Sequence, residues 1–193
     1  MRAFFAIDLP DRERGLLVAA QERMRKAVRG VGPKWVEPNQ LHVTMKFLGE
    51  VDRRVESELV RMATAAAAET PPLATRLEAI TTFGPPRRAR VIVATLADPE
   101  GLFVRLAARL EAGAVRVGVP GEGRRFVPHV TVGRIKRPHD PSAYLAEAKL
   151  APSEFVCPDL TLYESQLRPA GPIYTVLHRA RFARPEPGEP RET

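Results

Sequence analysis

The stretch Leu41-His42-Val43-Thr44-Met45-Lys46-Phe47-Leu48-Gly49 determines how this chain of 193 residues is interpreted. Its opening returns far along the chain, in Pro128-His129-Val130-Thr131-Val132-Gly133-Arg134-Ile135-Lys136. Runs of β-branched and apolar residues predict a strand in both places. Because successive side chains of a strand point to opposite faces, the His and the Thr of each stretch share one face, and the Val between them lies on the other.

The repetition favours a functional over a structural interpretation. A single His in an apolar strand is more often a structural residue with a local hydrogen bond than a catalyst. Here two of the four histidines begin the same His-Val-Thr sequence. A repeated pair of an imidazole and a hydroxyl is also chemically useful, so we interpret both pairs as functional.

Outward from the two stretches, the pattern of apolar residues predicts alternating helices and strands. Predicted helices cover 11–29, 52–69, 99–113 and 142–149. Predicted strands cover 2–9, 34–36, 42–49, 73–83, 91–95, 129–137, 154–164 and 173–182, with a basic loop over 84–88. Each half of the chain therefore contains a helix, a His-Val-Thr strand, a second helix and two more strands.

This order predicts an α+β fold that is bilobal and duplicated, with two antiparallel sheets facing a central groove and helices packed outside. In such a fold the two His-Val-Thr motifs face each other. We expect a single bilobal domain over 1–183. Residues 184–193 carry Pro, Glu and Arg without an apolar anchor, which predicts a disordered C-terminal tail.

The composition is that of a soluble globular protein, with 44% hydrophobic and 27% charged residues. The N-terminal MRAFFAIDLP reaches the acid Asp8 after a very short apolar run, so it is neither a signal peptide nor a membrane span. We expect a cytoplasmic protein. A net charge of +7 suits a polyanionic partner such as nucleic acid, although an arginine-rich source genome would also produce it.

Two imidazoles and two hydroxyls facing across a groove suit acid–base cleavage of a phosphodiester. One imidazole takes a proton from the attacking oxygen and the other gives one to the leaving oxygen. The hydroxyls can donate hydrogen bonds to the non-bridging oxygens as negative charge grows there. This scheme requires neither a metal nor a cofactor.

A zinc site is the rival use of the two histidines, and it would need further ligands. Only Glu50 and Asp52 lie just past the first motif, and no carboxylate closely flanks the second. The single cysteine, Cys157, is expected to be a small, partly buried hydrophobe. The remaining histidines, His139 and His178, are expected to be structural or solvated.

Several segments resemble a known family. The tetrads that begin at His42 and His129 look like the His-x-Thr-x signature of the 2H phosphoesterases. The segments MRAFFAIDLP, HVTMKFLGE, RRFVPHVTVGR and GPIY (171–174) are similar to those of the RNA 2′,3′-cyclic phosphodiesterases, also called 2′-5′ RNA ligases. The resemblance spans the chain to about residue 182 and implies a bilobal fold of two sheets around a groove.

The resemblance also implies an activity and residue roles. The expected reaction is metal-free opening of a 2′,3′-cyclic phosphate on RNA to a 2′-phosphate, with reversible ATP-independent 2′-5′ ligation as a side activity. By the same resemblance His42 is the proton donor, His129 the proton acceptor, and Thr44 and Thr131 are phosphate ligands. The residues alone require only that the two histidines be in opposite protonation states. The expected partner is RNA with a cyclic phosphate end, with no membrane and no second subunit.

Two basic residues complete the predicted site. Arg134 matches an arginine that follows the second tetrad in the family, and its guanidinium could hold a phosphate. Strict alternation places it opposite to the His129 face, so this role requires a β-bulge or the end of the strand. Lys46 shares the His42 face by parity and is a second candidate for substrate binding.

Two other functions remain open at this point. One is another branch of the same superfamily, acting on cyclic phosphates of ADP-ribose or on 2′-5′ oligoadenylates. The other is a non-catalytic module that binds RNA ends, in which the histidines only hydrogen-bond a phosphate.

Overall fold

The computed structural model describes residues 1–85, 89–137, 139–169 and 171–183. Its elements, in chain order, are β1 (Arg2–Asp8), α1 (Asp11–Ala27), β2 (Lys34–Trp35), β3 (His42–Glu50), α2 (Glu56–Ala68), β4 (Leu73–Thr82), β5 (Val91–Leu96), α3 (Leu102–Arg116), β6 (His129–Arg134), α4 (Ser142–Leu145), β7 (Glu154–Cys157), β8 (Asp159–Gln166) and β9 (Ile173–Arg181). The predicted tail over 184–193 and part of the predicted basic loop, 86–88, lie outside the described residues.

The strands pair in the order β7-β4-β5-β6-β3-β1-β8-β9, with β2 added to β6, and every pairing is antiparallel. Strands β3 and β6 meet through the single residue pair Val43–Val130. That pair divides the strongly curled sheet into a first lobe, β3-β1-β8-β9, and a second lobe, β7-β4-β5-β6 with β2. The predicted α+β fold with antiparallel sheets is confirmed.

The lobes do not coincide with the two halves of the sequence. Strands β4 and β5 follow the first motif along the chain, but β5 pairs with the second-lobe strand β6 and β4 pairs with β5, whereas β8 returns to β1 in the first lobe. The predicted strand over 154–164 is wrong, because the chain changes lobes at Pro158: β7 pairs with β4, and β8 pairs with β1 and β9. Proline has no backbone N–H for a ladder, so a strand is interrupted there.

The core lies between the sheet and the helices. Helix α1 buries Leu17, Ala20 and Met24 along one side, as a helix does when its apolar residues recur every three or four positions. Helix α2 packs against β8 and β9, and α3 packs against β3 and α2. Helix α4 spans only Ser142–Leu145, so the prediction of a helix over 142–149 was too long. Within the described ranges, no helix is long and apolar enough to cross a membrane.

A β-bulge interrupts β3 directly after the first motif. Against β1, Thr44 is paired with Ala6 and Lys46 with Phe5, so Met45 is an extra residue. A bulge sets two residues of one strand against one residue of its neighbour, and it reverses the side to which later side chains point. Met45 and Lys46 are accordingly both buried, and Phe47 is exposed.

A second β-bulge lies at the corresponding place in β6. Against β5, Thr131 is paired with Val93 and Gly133 with Ile92, so Val132 is the extra residue. Val132 and Gly133 are both buried, and Arg134 is exposed. The two motifs thus share the bulge as well as the His-Val-Thr sequence, although nothing in the alternation of apolar residues marks either bulge.

Candidate active site

The pair Val43–Val130 brings the two motifs side by side in the groove. In an antiparallel pairing, His42 then lies across from Thr131, and Thr44 lies across from His129. The two valines are fully buried on the core face, while the histidines and threonines are half-buried. All four predicted catalytic residues therefore share one short stretch of the groove.

His42 is held from several sides. Its Nε2 lies 3.1 Å from the Thr44 hydroxyl, and its ring also hydrogen-bonds to the backbone of Gln40. The ring stacks on Phe4 with centroids 5.0 Å apart, and the edge contact with Tyr174 measures 5.5 Å. Aromatic walls and a local hydrogen bond together fix the direction in which Nε2 points.

Burial lowers the pKa of His42 to about 4. The bond to Gln40 and the Asp8 carboxylate both favour the protonated ring, but less strongly than burial opposes it. The positive charge of Arg134 and the neighbouring His129 lower the pKa of His42 further. In the free protein the His42 ring is therefore neutral at pH 7.

His129 has a similar local arrangement in the second lobe. Its Nδ1 lies 2.7 Å from the carbonyl oxygen of Val127, and the Phe83 ring contacts it edge-on at 4.8 Å between centroids. Since a carbonyl can only accept, Nδ1 carries the proton and Nε2 carries the lone pair of the neutral ring. Burial lowers the pKa of His129, which favours this neutral form and equips Nε2 to accept a proton.

Arg134 lies on the same side of β6 as His129 and Thr131. In the pairing with β5, Arg134 lies across from Val91, Thr131 from Val93 and His129 from Thr95. These three β5 residues share one face, because they are every second residue of an uninterrupted strand. The bulge thus supplies the condition on which the predicted phosphate-binding role of Arg134 depended. Its guanidinium also lies close enough to lower the pKa values of His42 and Tyr174, which belong to the first lobe.

Lys46, by contrast, is not brought to the groove. It pairs with Phe5 on the core face, its side chain is 3% exposed, and its Nζ lies 2.8 Å from a carboxylate oxygen of Glu111 and 3.2 Å from one of Glu122. The prediction that Lys46 shares a face with His42 was wrong, because the bulge at Met45 reverses the alternation. Lys46 instead connects β3 to α3 and to the segment that leads into β6.

A group of groove residues around Asp8 was not predicted as part of the site. Asp8 lies across from His42 in the β1–β3 pairing, and its carboxylate accepts hydrogen bonds from Tyr163 at 2.7 Å, Thr161 at 3.0 Å and Arg179 at 3.2 Å. Asp8, Tyr163 and Arg179 line a cavity of about 570 Å³ beside His42. The sequence carries little indication of this group, since the register that brings Asp8 on β1 near the β8 residues is set by segments far apart in the chain.

The other two histidines lie elsewhere. His139 bonds through Nε2 to the Tyr144 hydroxyl at 2.9 Å, and the Nε2 of His178 lies 3.0 Å from the Thr64 hydroxyl on α2. In the parts of the chain that the structure describes, no three His, Cys, Asp or Glu side chains converge as a possible set of metal ligands. Cys157 is fully buried, and burial raises the pKa of its thiol to about 12.

The chain is similar in sequence to one family of known proteins. The family described as the 2′-5′ RNA ligase superfamily matches residues 17–168. An RNA 2′,3′-cyclic phosphodiesterase of Thermus thermophilus is 36% identical over 185 residues, covering 93% of this chain and 89% of that protein. One from Methanothermobacter thermautotrophicus is 34% identical, covering 94% and 99% respectively.

Solved structures also resemble this one. A crystal structure of a Thermus thermophilus protein aligns with a TM-score of 0.77 at 32% identity, covering 94% of this chain and 98% of that one. The crystal structure of E. coli LigT complexed with 3′-AMP aligns with a TM-score of 0.74 at 26% identity, covering 94% and 97% respectively. In each case the alignment includes both lobes.

Proposed function

Because the chain belongs to the 2′-5′ RNA ligase superfamily, we propose that it is an enzyme that opens the 2′,3′-cyclic phosphate at an RNA end and leaves the phosphate on the 2′ oxygen. The observation that carries this proposal is the pairing of Val43 with Val130, which sets two His-Thr pairs side by side in one groove. The names of the related proteins, RNA 2′,3′-cyclic phosphodiesterases, support the choice of substrate.

In the proposed reaction a water molecule attacks phosphorus on the side opposite to the 3′ oxygen. The Nε2 of His129 accepts a proton from this water as the new P–O bond forms. Protonated His42 gives a proton from Nε2 to the 3′ oxygen as the bond between phosphorus and that oxygen breaks. The negative charge that grows on the non-bridging oxygens is stabilised by the hydroxyls of Thr44 and Thr131 and by the guanidinium of Arg134.

His42 must be charged for this step, although its pKa is about 4 in the free protein. A bound phosphate anion beside the ring favours the imidazolium and raises that pKa. The same anion neutralises the opposing effect of Arg134. Substrate binding thus creates the acid, while the carbonyl of Val127 keeps His129 in the tautomer that serves as base.

The proposed chemistry moves protons and uses no metal. Ligation follows from it, because a 5′-hydroxyl RNA end that occupies the position of the water would attack the same phosphorus and form a 2′-5′ linkage. The reaction exchanges one phosphodiester for another, so we propose that it is reversible and independent of ATP. Water is far more concentrated than RNA ends, so hydrolysis predominates.

The test uses RNA that ends in a 2′,3′-cyclic phosphate, incubated with the purified protein in excess EDTA. We expect turnover to a terminus that resists a 3′-specific phosphatase, and a 2′-5′ joined product when a 5′-hydroxyl RNA is added. His42→Ala and His129→Ala should each reduce both reactions by about 10²–10⁴-fold, the usual contribution of general acid–base catalysis.

The matched control is His178→Ala, which removes a histidine whose ring bonds to Thr64 away from the groove. This variant should keep normal turnover. A 3′-phosphate product would show that the other oxygen leaves. Loss of turnover in EDTA that a divalent ion restores would rule out the metal-free mechanism, and a folded His42→Ala or His129→Ala variant with normal turnover would rule out the roles of the histidines.

A further inference from the structure

The extra residue of the β6 bulge is held by a side chain from outside the sheet. Val132 is fully buried, so its carbonyl oxygen depends on protein donors. That oxygen accepts a hydrogen bond from the side-chain amide of Gln21 at 2.8 Å and another from the backbone N–H of Val36 at 3.1 Å. Helix α1 therefore reaches the bulge through one polar side chain.

The same amide fixes the neighbouring strand. The Nε2 of Gln21 donates a second hydrogen bond, to the carbonyl of Val36 at 2.8 Å. Val36 directly follows β2, in which Lys34 pairs with Arg134 and Trp35 with Gly133. A Cβ on Gly133 would lie 3.4 Å from the Trp35 ring, so the backbone of the bulge lies directly against that ring.

Gln21 is, together with Glu13, a polar member of the otherwise apolar buried side of α1. It is 3% exposed, and the other members of that side include Leu17, Ala20 and Met24. A buried amide lowers the stability of a fold unless its hydrogen bonds are made. Here one bond goes to the carbonyl of the bulge residue Val132, and the other goes to the carbonyl of Val36, whose N–H also donates to Val132, so both bonds hold the bulge and its neighbouring segment.

We propose that Gln21 is a positioning residue for Arg134: by holding the β6 bulge, it keeps the guanidinium on the groove face. Without the bulge, strict alternation would turn residue 134 to the core face, because it lies an odd number of positions from His129. This inference rests on the proposed function only in assigning Arg134 to the substrate phosphate.

The test is Gln21→Met, which keeps the length of the side chain and removes the amide. Binding of inorganic phosphate, measured by calorimetry, should weaken about tenfold, and KM for a 2′,3′-cyclic nucleotide should rise by a similar factor, as for a pairwise coupling of ordinary strength. In the free variant the pKa of His42, measured by NMR titration, should rise, because displacement of Arg134 removes a charge that lowers it.

Ser153→Ala is the matched structural control. Ser153 is 3% exposed, and its hydroxyl donates to the buried carboxylate of Glu13, also on α1, at 2.6 Å. This variant removes a buried hydrogen bond of the same helix that does not touch the bulge. It should lower thermal stability while leaving phosphate affinity and KM as in the wild type.

The double variant of Gln21→Met with Arg134→Ala separates positioning from general loosening. In the Arg134→Ala background, the Gln21 substitution should weaken phosphate binding by no more than about twofold, since the group that it positions is gone. An equal loss in both backgrounds, an unchanged affinity in Gln21→Met, or an Arg134→Ala variant with wild-type affinity would overturn the inference. Failure of the proposed function would be seen separately, as wild-type protein that binds phosphate without turning over cyclic-phosphate RNA.

Discussion

At the scale of single residues, the two histidines differ in what surrounds them. The His42 ring is buried beside Phe4 and Tyr174 and has Arg134 nearby. Burial and the positive charge of Arg134 both lower the pKa of His42. The Phe83 ring contacts His129 edge-on, and the carbonyl of Val127 accepts a hydrogen bond from Nδ1, which keeps Nε2 of the neutral ring free to accept a proton. The proposed acid therefore depends on the charge of the substrate more strongly than the proposed base does.

This difference predicts how activity depends on pH. As pH rises above about 4, His42 in the free protein loses its proton. In the complex with a phosphate anion, His42 keeps this proton to higher pH, because the anion stabilises the imidazolium. Since kcat/KM reports the free enzyme and kcat reports the complex, the alkaline decline of kcat/KM should lie at lower pH than that of kcat. NMR titration of the His42 ring with and without inorganic phosphate measures the same shift directly. Coinciding alkaline limbs, or a His42 pKa that phosphate leaves unchanged, would contradict this assignment.

Alternation along a strand was sufficient to predict that His42 shares a face with Thr44 and that His129 shares one with Thr131, because each pair lies before its bulge. It could not predict Asp8 or Tyr174 as their neighbours. Asp8 reaches His42 through the pairing of β1 with β3, and Tyr174 reaches it from β9. Such contacts depend on strand order and register, which a single sequence specifies only through the whole fold.

At the scale of elements, the two bulges decide which basic residue reaches the groove. Gly133 is a usable signal, since a glycine inside a predicted strand often marks a bulge. The bulge at Met45 carries no such mark, and Lys46 was therefore predicted on the wrong face. Residues five positions after each histidine, Phe47 and Arg134, both face the groove, so one lobe presents an aromatic ring where the other presents a cation.

The buried position of Lys46 predicts an effect on stability and not on substrate binding. Lys46→Met removes the partner of Glu111 and Glu122, and we expect the free energy of unfolding to fall by about 1–3 kcal/mol, as for lost hydrogen bonds between charged groups. KM should stay within about twofold of the wild type, in contrast with Arg134→Ala, where a charge-assisted bond to phosphate is lost.

The stability difference should also depend on pH. The hydrogen bond from Lys46 lowers the pKa of Glu111, so this bond stabilises the fold above the ordinary pKa of a glutamate and is lost as pH falls through the lowered value. Chemical denaturation should accordingly show the largest difference between wild type and Lys46→Met near pH 7 and a smaller one below about pH 4. A difference that persists unchanged into acid would show that the ion pairs do not account for it.

At the scale of the whole molecule, the sequence predicted the class of fold because helices and strands alternate strongly in their apolar patterns. It did not predict that β4 and β5 join the second lobe, because strand order depends on contacts between distant segments. The crossing of the chain between lobes at Pro158 and after α2 ties the halves of the groove together. The two motifs thus meet at one residue pair, Val43–Val130, within a sheet in which each lobe contains strands from both halves of the sequence.

The net charge of +7 was open to two explanations, attraction of a polyanion or the composition of the source genome, and salt dependence separates them. If the excess charge contacts RNA beyond the cyclic phosphate, KM for a short RNA should rise more steeply with salt than KM for a 2′,3′-cyclic mononucleotide. For single strands the logarithmic slope is about 0.7 per phosphate contacted, so about three additional contacts would add roughly 2 to the slope.

Arg2 is the clearest contributor, because it lies over the Phe47 ring at 4.6 Å to the centroid and its charge lowers the pKa of the groove residue Tyr174. Arg2→Gln should reduce the slope for RNA, whereas Arg61→Gln, the same charge change at an exposed position of α2, should leave it unchanged. Equal slopes for RNA and mononucleotide would assign the excess charge to composition alone.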